Sequence, residues 1–306
     1  MKITFCCTDT EPDLWLSGLQ AALPDAEVSL WRTGAPLADH AVVWAPPQQF
    51  FDEQTQLKGV FNIAAGVDAL LKLRLPPGAL VVRLDDAGMS VQMAEYVCHA
   101  VIRYFREFEG YAEDAKNGKW ARRNSSQRDK FEIGVMGLGV LGHRVAKSLR
   151  AFEFPVYGWS RSVKRLEGVK CFEGASQFSE FLSKSQVLVN LLPLTLETQD
   201  LLNRTTLSQL KPGAFVINVA RGAHLVEDDL LALLNEGHLA GATLDVFRTE
   251  PLPATHPFWR HPKITVTPHT SARTLRETSV AQIVGKILTL SRGESINGVV
   301  DQMRGY

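Results

Sequence analysis

Short β-type runs alternate with helical stretches along almost the whole chain, and that alternation limits the folds open to it. Ile3-Thr4-Phe5, Val28-Ser29-Leu30-Trp31, Ala41-Val42-Val43-Trp44, Val60-Phe61-Asn62-Ile63-Ala64 and Ala79-Leu80-Val81-Val82-Arg83 read as strands, with a helix over residues 14–23. A second series places strands at 131–136, 156–159, 187–191, 214–219, 242–246 and 264–267. Helices fall between them at 141–152 and 226–236, the latter closed by Gly237, and a last amphipathic helix covers 274–291. Such alternation predicts an α/β architecture with mainly parallel sheets covered by helices. At 306 residues the chain is long for one core and suited to two, since domains typically run about 100–200 residues.

Between the two series the period changes. From Ser90, Val91, Ala94, Val97, Cys98, Val101, Tyr104, Phe105 and Phe108 recur at three- and four-residue steps, the apolar stripe of one long helix. The polar stretch 116–126 that follows reads as a connection rather than a folded unit.

Composition removes several function classes. Hydrophobic residues make up 45% and charged residues 22%, which predicts a globular chain. Lys plus Arg and Asp plus Glu both count 33, so the basic excess expected of a nucleic-acid binder is missing. No apolar run approaches the roughly 18 residues of a membrane span. The opening Met1-Lys2-Ile3-Thr4-Phe5-Cys6-Cys7-Thr8-Asp9 turns polar too soon for a signal peptide. Cys6, Cys7, Cys98 and Cys171 lack metal-ligand or redox spacing and read as small hydrophobes in a reducing cytoplasm. The histidines form no HxH or HExxH cluster, so no metal site is expected.

Met136-Gly137-Leu138-Gly139-Val140-Leu141-Gly142 is GxGxxG, a weak pattern by itself. Its place between a strand ending at Met136 and a helix opening near Leu141 makes it a dinucleotide loop. Gly137 makes the tight turn, Gly139 admits a pyrophosphate, and Gly142 lets helix and strand pack closely. A ligand-free glycine turn is the plain alternative. An acidic residue about twenty positions on would bind the 2′-OH of NAD. Here the next strand ends Tyr157-Gly158-Trp159-Ser160-Arg161-Ser162, with no carboxylate at its tip. Ser160 and Arg161 suit a 2′-phosphate instead, which favours NADPH with NADH as the weaker cofactor.

Polar residues follow three successive later strands. Arg221 stands in Asn218-Val219-Ala220-Arg221-Gly222, Asp245 and Glu250 in Leu244-Asp245-Val246-Phe247-Arg248-Thr249-Glu250-Pro251-Leu252, and His269 in Thr265-Val266-Thr267-Pro268-His269. Open α/β sheets bind ligands at that carboxyl edge. A guanidinium, a carboxylate and an imidazole are suited to carboxylate binding, pKa tuning and acid catalysis.

These segments resemble the D-isomer-specific 2-hydroxyacid dehydrogenase family over nearly the whole chain, including Ala65-Gly66-Val67-Asp68 and Met93-Ala94-Glu95-Tyr96. More narrowly, 43–47, 84–89, 226–231 and the C-terminal Arg304-Gly305-Tyr306 are similar to its glyoxylate/hydroxypyruvate reductase A group. The resemblance implies two Rossmann-like domains, each a doubly wound parallel sheet, with the active site in the interdomain cleft. Residues 1–92 and the returning helix 275–306 would form the substrate domain, and 93–274 the dinucleotide domain. It also implies a homodimer built through the long helix after Ser90, and a small 2-oxo acid as substrate.

The implied roles follow residue by residue. Arg221 would grip the substrate carboxylate and carbonyl oxygen, His269 would donate the proton, and Glu250 would favour the charged imidazole. Leu138, Val140, Leu141, Leu192, Pro193 and Ala220 would join Gly137, Gly139, Gly142, Ser160, Arg161 and Asp245 around the cofactor, with Asp245 orienting the nicotinamide amide. Ala65, Gly66 and Val67 would hold the carboxylate, Gly66 and Val67 through backbone N–H groups, and Trp44, Met89 and Trp259 would narrow the pocket. The serine at 160, where most of the wider family is acidic, means NAD use does not carry over. The expected reaction is NADPH-dependent reduction of glyoxylate and hydroxypyruvate to glycolate and D-glycerate. Turnover of another D-2-hydroxy acid, or a dinucleotide-sensing interaction protein without turnover, stay open as alternatives.

Overall fold

The computed structural model describes residues 1–8, 10–123 and 127–306. They form two compact units, Met1–Met89 with Thr274–Tyr306, and Ser90–Arg273. The first contains β1 (Lys2–Cys7), α1 (Pro12–Ala22), β2 (Glu27–Leu30), β3 (His40–Trp44), α2 (Gln48–Glu53), β4 (Gly59–Asn62) and β5 (Leu80–Val82). Its sheet runs β2-β1-β3-β4-β5, every pairing parallel. The order reverses between β1 and β3, the mark of double winding. β4 is buried throughout, as a strand covered on both faces must be, whereas the edge strand β2 is half open.

The second unit carries α3 (Met89–Phe105, whose first residue belongs to the first unit), α4 (Phe108–Lys116), β6 (Ile133–Met136), α5 (Val140–Ala151), β7 (Val156–Ser160) and β8 (Val169–Glu173). It continues with α6 (Phe178–Lys184), β9 (Val187–Asn190), α7 (Arg204–Leu207), β10 (Ala214–Asn218), α8 (Glu227–Asn235), β11 (Leu239–Leu244) and β12 (Ile264–Val266). The parallel sheet order β12-β11-β10-β9-β6-β7-β8 reverses between β6 and β9. Loops after those two strands flank the crevice where such sheets take ligands. The chain then returns to the first unit with α9 (Arg276–Ser291), which lies against α1.

The α/β class and the two doubly wound parallel sheets are as the sequence predicts. The long helix is not. α3 stops at Phe105, Glu107 takes a left-handed φ of +53°, and α4 follows. Val91 and Phe108, the ends of the predicted stripe, are exposed, while Met93, Ala94, Val97, Cys98, Val101 and Phe105 are buried. The polar connection therefore opens on a helical turn at Lys116, and Asn124, Ser125 and Ser126 lie outside the described residues. Among the described residues no helix is long and apolar enough to cross a membrane.

Candidate active site

The loop between β6 and α5 has the shape a pyrophosphate needs. Gly137 sits at φ +94°, and a Cβ there would lie 2.7 Å from the Leu191 carbonyl oxygen. A Cβ on Gly142 would lie 1.8 Å from the Gly137 oxygen, so only glycine lets the helix lie this close to the turn. Gly139 is different, because a Cβ there would meet nothing within 4 Å. It is exposed and stands at the N-cap of α5 with no side chain to cover the free N–H groups behind it. Val140 is exposed, while Leu138 lies in the core and half-buried Leu141 packs against the same cluster. The residues present thus fit a dinucleotide phosphate.

Buried asparagines that the sequence reading passed over shape the neighbouring turns. Asn190 Nδ2 donates to Asn218 Oδ1 at 3.0 Å, and the Leu192 and Ala220 N–H groups donate to Asn190 Oδ1 and Asn218 Oδ1 at 3.2 and 3.3 Å. Asn218 Nδ2 also donates to the Arg221 carbonyl at 3.1 Å. The segments carrying Leu192-Pro193 and Ala220-Arg221 are therefore held together at the carboxyl ends of β9 and β10. A polar residue closing each apolar strand was the available signal.

At the tip of β7, Ser160 is buried and its hydroxyl donates to the Ser162 carbonyl at 2.7 Å. Arg161 is half-exposed, with Nη1 3.6 Å from Glu197 Oε2. Pairs this open are worth little and exchange easily for another anion.

His269, Glu250 and Arg221 lie together within the second unit. His269 Nδ1 is 2.8 Å from Glu250 Oε2, while Glu250 Oε1 accepts the Phe247 N–H at 2.9 Å. Burial alone would push the Glu250 carboxyl up; the His269 hydrogen bond, the Phe247 N–H and the charges of His269 and Arg221 outweigh it and hold the carboxyl below its usual value. His269 stays open, its side chain 44% exposed, so the ring's other nitrogen can face a ligand. Arg221, half-buried, donates from Nη1 to the Ala220 carbonyl at 2.7 Å. A Cβ on the next residue, Gly222, would lie 1.9 Å from the Phe247 carbonyl carbon, so Gly222 brings the Arg221 turn against the loop of Glu250.

Asp245 is fully buried and accepts three hydrogen bonds, from Thr267 Oγ1 at 2.6 Å, Thr270 N at 2.8 Å and Ser271 N at 2.9 Å. The structure thus gives it a hold on the turn of His269. Thr267 and its partner Tyr96 stand in segments quoted from the sequence, but nothing in their spacing gives either a role or pairs them.

In the first unit, Trp44 ends β3 half-buried, and Ala65 and Gly66 are half-buried beyond β4. Asn62 Nδ2 holds their loop by donating to the Ala64 and Gly66 carbonyls at 3.0 and 2.9 Å. Val67 and Met89 are 4% exposed, so the Val67 side chain belongs to the core and only its backbone is left to bind. Trp259, in the second unit, is half-exposed and donates to the Pro253 carbonyl. Cys6 and Cys98 are buried thiols pushed up to about 11 by burial, whereas Cys7 and Cys171 are partly open. No group of three metal-ligating side chains occurs among the described residues.

Comparison with known proteins shows the family to which the chain belongs. Residues 98–271 match the D-isomer specific 2-hydroxyacid dehydrogenase, NAD binding domain. A Serratia proteamaculans protein named glyoxylate/hydroxypyruvate reductase A is 48% identical, with both chains covered in full. A Xanthobacter autotrophicus D-isomer specific 2-hydroxyacid dehydrogenase, solved with NADPH and MES, is 39% identical with a TM-score of 0.94, covering 100% of this chain and 99% of its own. The NADPH-dependent glyoxylate/hydroxypyruvate reductase of Sinorhizobium meliloti, solved with NADP and sulfate, is 32% identical with the same TM-score of 0.94 and the same coverage, 100% and 99%. Since the NAD binding domain spans residues 98–271 and the likeness to the Serratia protein runs the full length, this chain is an oxidoreductase that belongs to the D-isomer-specific 2-hydroxyacid dehydrogenase family.

Proposed function

We propose that the protein reduces glyoxylate and hydroxypyruvate to glycolate and D-glycerate, preferring NADPH to NADH. The observation that carries the reading is the His269–Glu250 pair at 2.8 Å, placed at the carboxyl edge with Arg221 beside Glu250. When bound, the cofactor supplies a hydride to the carbonyl carbon. Arg221 binds the substrate carboxylate through its forked guanidinium and polarises the carbonyl oxygen. His269 holds the proton on the nitrogen facing the substrate and delivers it to that oxygen, while Glu250 stabilises the imidazolium. Asp245 accepts three donors and, by lone-pair count, has one position left for the nicotinamide amide. Trp44, Ala65, Gly66, Val67 and Met89 are the substrate contacts in this reading.

Preference for the 2′-phosphate falls to Arg161, released from Glu197, and to Ser160, whose single hydroxyl hydrogen turns from the Ser162 carbonyl to phosphate. The NADPH and NADP complexes of the Xanthobacter and Sinorhizobium proteins support it. The same reading makes the protein a cytoplasmic homodimer.

Steady-state reduction of both oxo acids with each cofactor tests the proposal. The expected result is a kcat/KM with NADPH at least about tenfold above NADH, from one charge-assisted contact. Arg221→Ala should cost about a hundredfold or more in kcat/KM while NADPH still binds. Turnover favouring NADH would overturn the phosphate reading alone. No turnover in a folded, NADPH-binding protein would overturn the reaction.

A further inference from the structure

His269 occupies a conformation that its own residue type does not favour. Its φ is +53°, in the left-handed region, and it is not glycine. A residue stays there only when its surroundings hold it. Asp245 does most of the holding, because its carbonyl accepts the His269 N–H at 2.8 Å and its carboxylate takes Thr270 N, Ser271 N and Thr267 Oγ1. One aspartate thus binds four residues of the catalytic turn.

The grip extends to α3. Tyr96 Oη lies 2.5 Å from Thr267 Oγ1, and the direction of that bond follows from proton count. The Thr267 hydroxyl has one hydrogen, and at 2.6 Å it serves the acceptor-only carboxylate of Asp245. Tyr96 must therefore be the donor, in a chain Tyr96 O–H to Thr267 O–H to Asp245. Burial, aided by the Asp245 charge, pushes the Tyr96 phenol up to about 12, so it keeps that hydrogen. One turn earlier on α3, Gln92 Nε2 donates to the Arg273 carbonyl at 3.0 Å and Gln92 Oε1 accepts the Arg273 N–H at 3.1 Å. Residues four apart on one helix face therefore clasp both ends of the segment 267–273.

We propose that Tyr96 is a positioning residue for the proton donor, acting through Thr267 and Asp245 to fix the His269 turn against Glu250. It rests on the reading of His269 as the acid. Tyr96 touches neither His269 nor Glu250 in any hydrogen bond, so its effect passes through the turn. Glu250 is bonded to the His269 ring, Asp245 holds its backbone N–H, and Arg221 acts on Glu250 through its charge.

Tyr96→Phe keeps the ring and removes only the donor. A single hydrogen bond of ordinary net strength predicts a kcat about fivefold lower, and losing the bond to the Asp245 charge in Thr267→Val about tenfold or more. KM for the oxo acid should stay within about twofold, since the substrate contacts remain. Thr267→Ser retains the hydroxyl and should restore kcat. Because the two groups act in series, the double variant Tyr96→Phe/Thr267→Val should cost no more than Thr267→Val.

A readout independent of turnover is the downfield proton NMR signal of the His269 Nδ1–H bonded to Glu250, identified by its loss in Glu250→Gln and His269→Gln. It should move in Tyr96→Phe and Thr267→Val and return in Thr267→Ser. An unmoved signal, or full kcat with only a lowered melting temperature, would overturn the positioning role. If the wild type reduces no 2-oxo acid, the proposed function fails while the NMR signal still decides this one. If Thr267→Val does not fold, Tyr96→Phe decides it alone.

Discussion

Glu250 is ionised against the pull of its own burial. What keeps it so is local: one hydrogen bond from His269, one from the Phe247 N–H, and the charges of His269 and Arg221. A carboxyl lowered from its ordinary 4.5 stabilises the fold fully above that value, and the stabilisation is lost as pH falls through the folded-state value. The melting midpoint of wild type minus Glu250→Gln should therefore shrink as the pH falls below about 4.5. With the side chain 35% exposed, solvent screening limits the difference to about a degree or two. A difference that grows on acidification would mean the carboxylate is not the stabilised form. The sequence shows Arg221, Glu250 and His269 because each follows an apolar strand. It hides the pairing of Tyr96 with Thr267, which joins residues 171 positions apart, and no local pattern records that.

At the scale of elements, strands buried on both faces were the easiest to read, since β6, β9 and β10 are apolar runs with no exposed position, the last two closed by a buried asparagine. β8 is an edge strand carrying Lys170 and Glu173, and its single buried residue, Phe172, leaves too little pattern to find. α4 buries only Asp114, held by Arg123 at 2.8 Å, so it has no apolar stripe to betray it. The β6–α5 turn was legible because glycine is the one residue whose absence of a side chain is itself the signal. Gly139 and Gly142 separate the two uses of that absence. Gly139→Ala should fold with an unchanged melting temperature yet bind dinucleotide about tenfold or more weakly, because its Cβ enters only the space left for the phosphates. Gly142→Ala should lose stability as well, since its Cβ meets backbone at 1.8 Å. Calorimetric titration with NADPH and thermal melts check both; equal melting losses in the two variants would refute the distinction.

At the scale of the whole chain, the first unit is built from both ends of the sequence, so the returning segment must be fastened to the opening one. The fastening is partly ionic and almost dry. Lys286 on α9 has a side chain 9% exposed, with Nζ 2.9 Å from Asp85 Oδ2 and donating to the Arg83 carbonyl at 2.8 Å. Backbone bonds continue it, from Arg83 N to the Gly298 carbonyl and from Val300 N to the Val81 carbonyl, at 2.9 and 2.8 Å. Thus α9 and the tail after it close on the end of β5, where the chain leaves for α3. A buried lysine is tolerated only because both partners are in place. Lys286→Met keeps the aliphatic stem but leaves Asp85 and the Arg83 carbonyl short of a donor. Breaking a buried pair costs about 3–5 kcal/mol, and the 30% exposure of Asp85 lowers that to about 2 kcal/mol. The melting midpoint should fall by about 4–8 °C. NADPH affinity, which depends on the loop after β6 in the other unit, should not change. A thermal melt followed by circular dichroism, paired with an NADPH titration, measures both. An unchanged midpoint would mean that apolar packing of α9 on α1 holds the two ends of the chain together without the lysine.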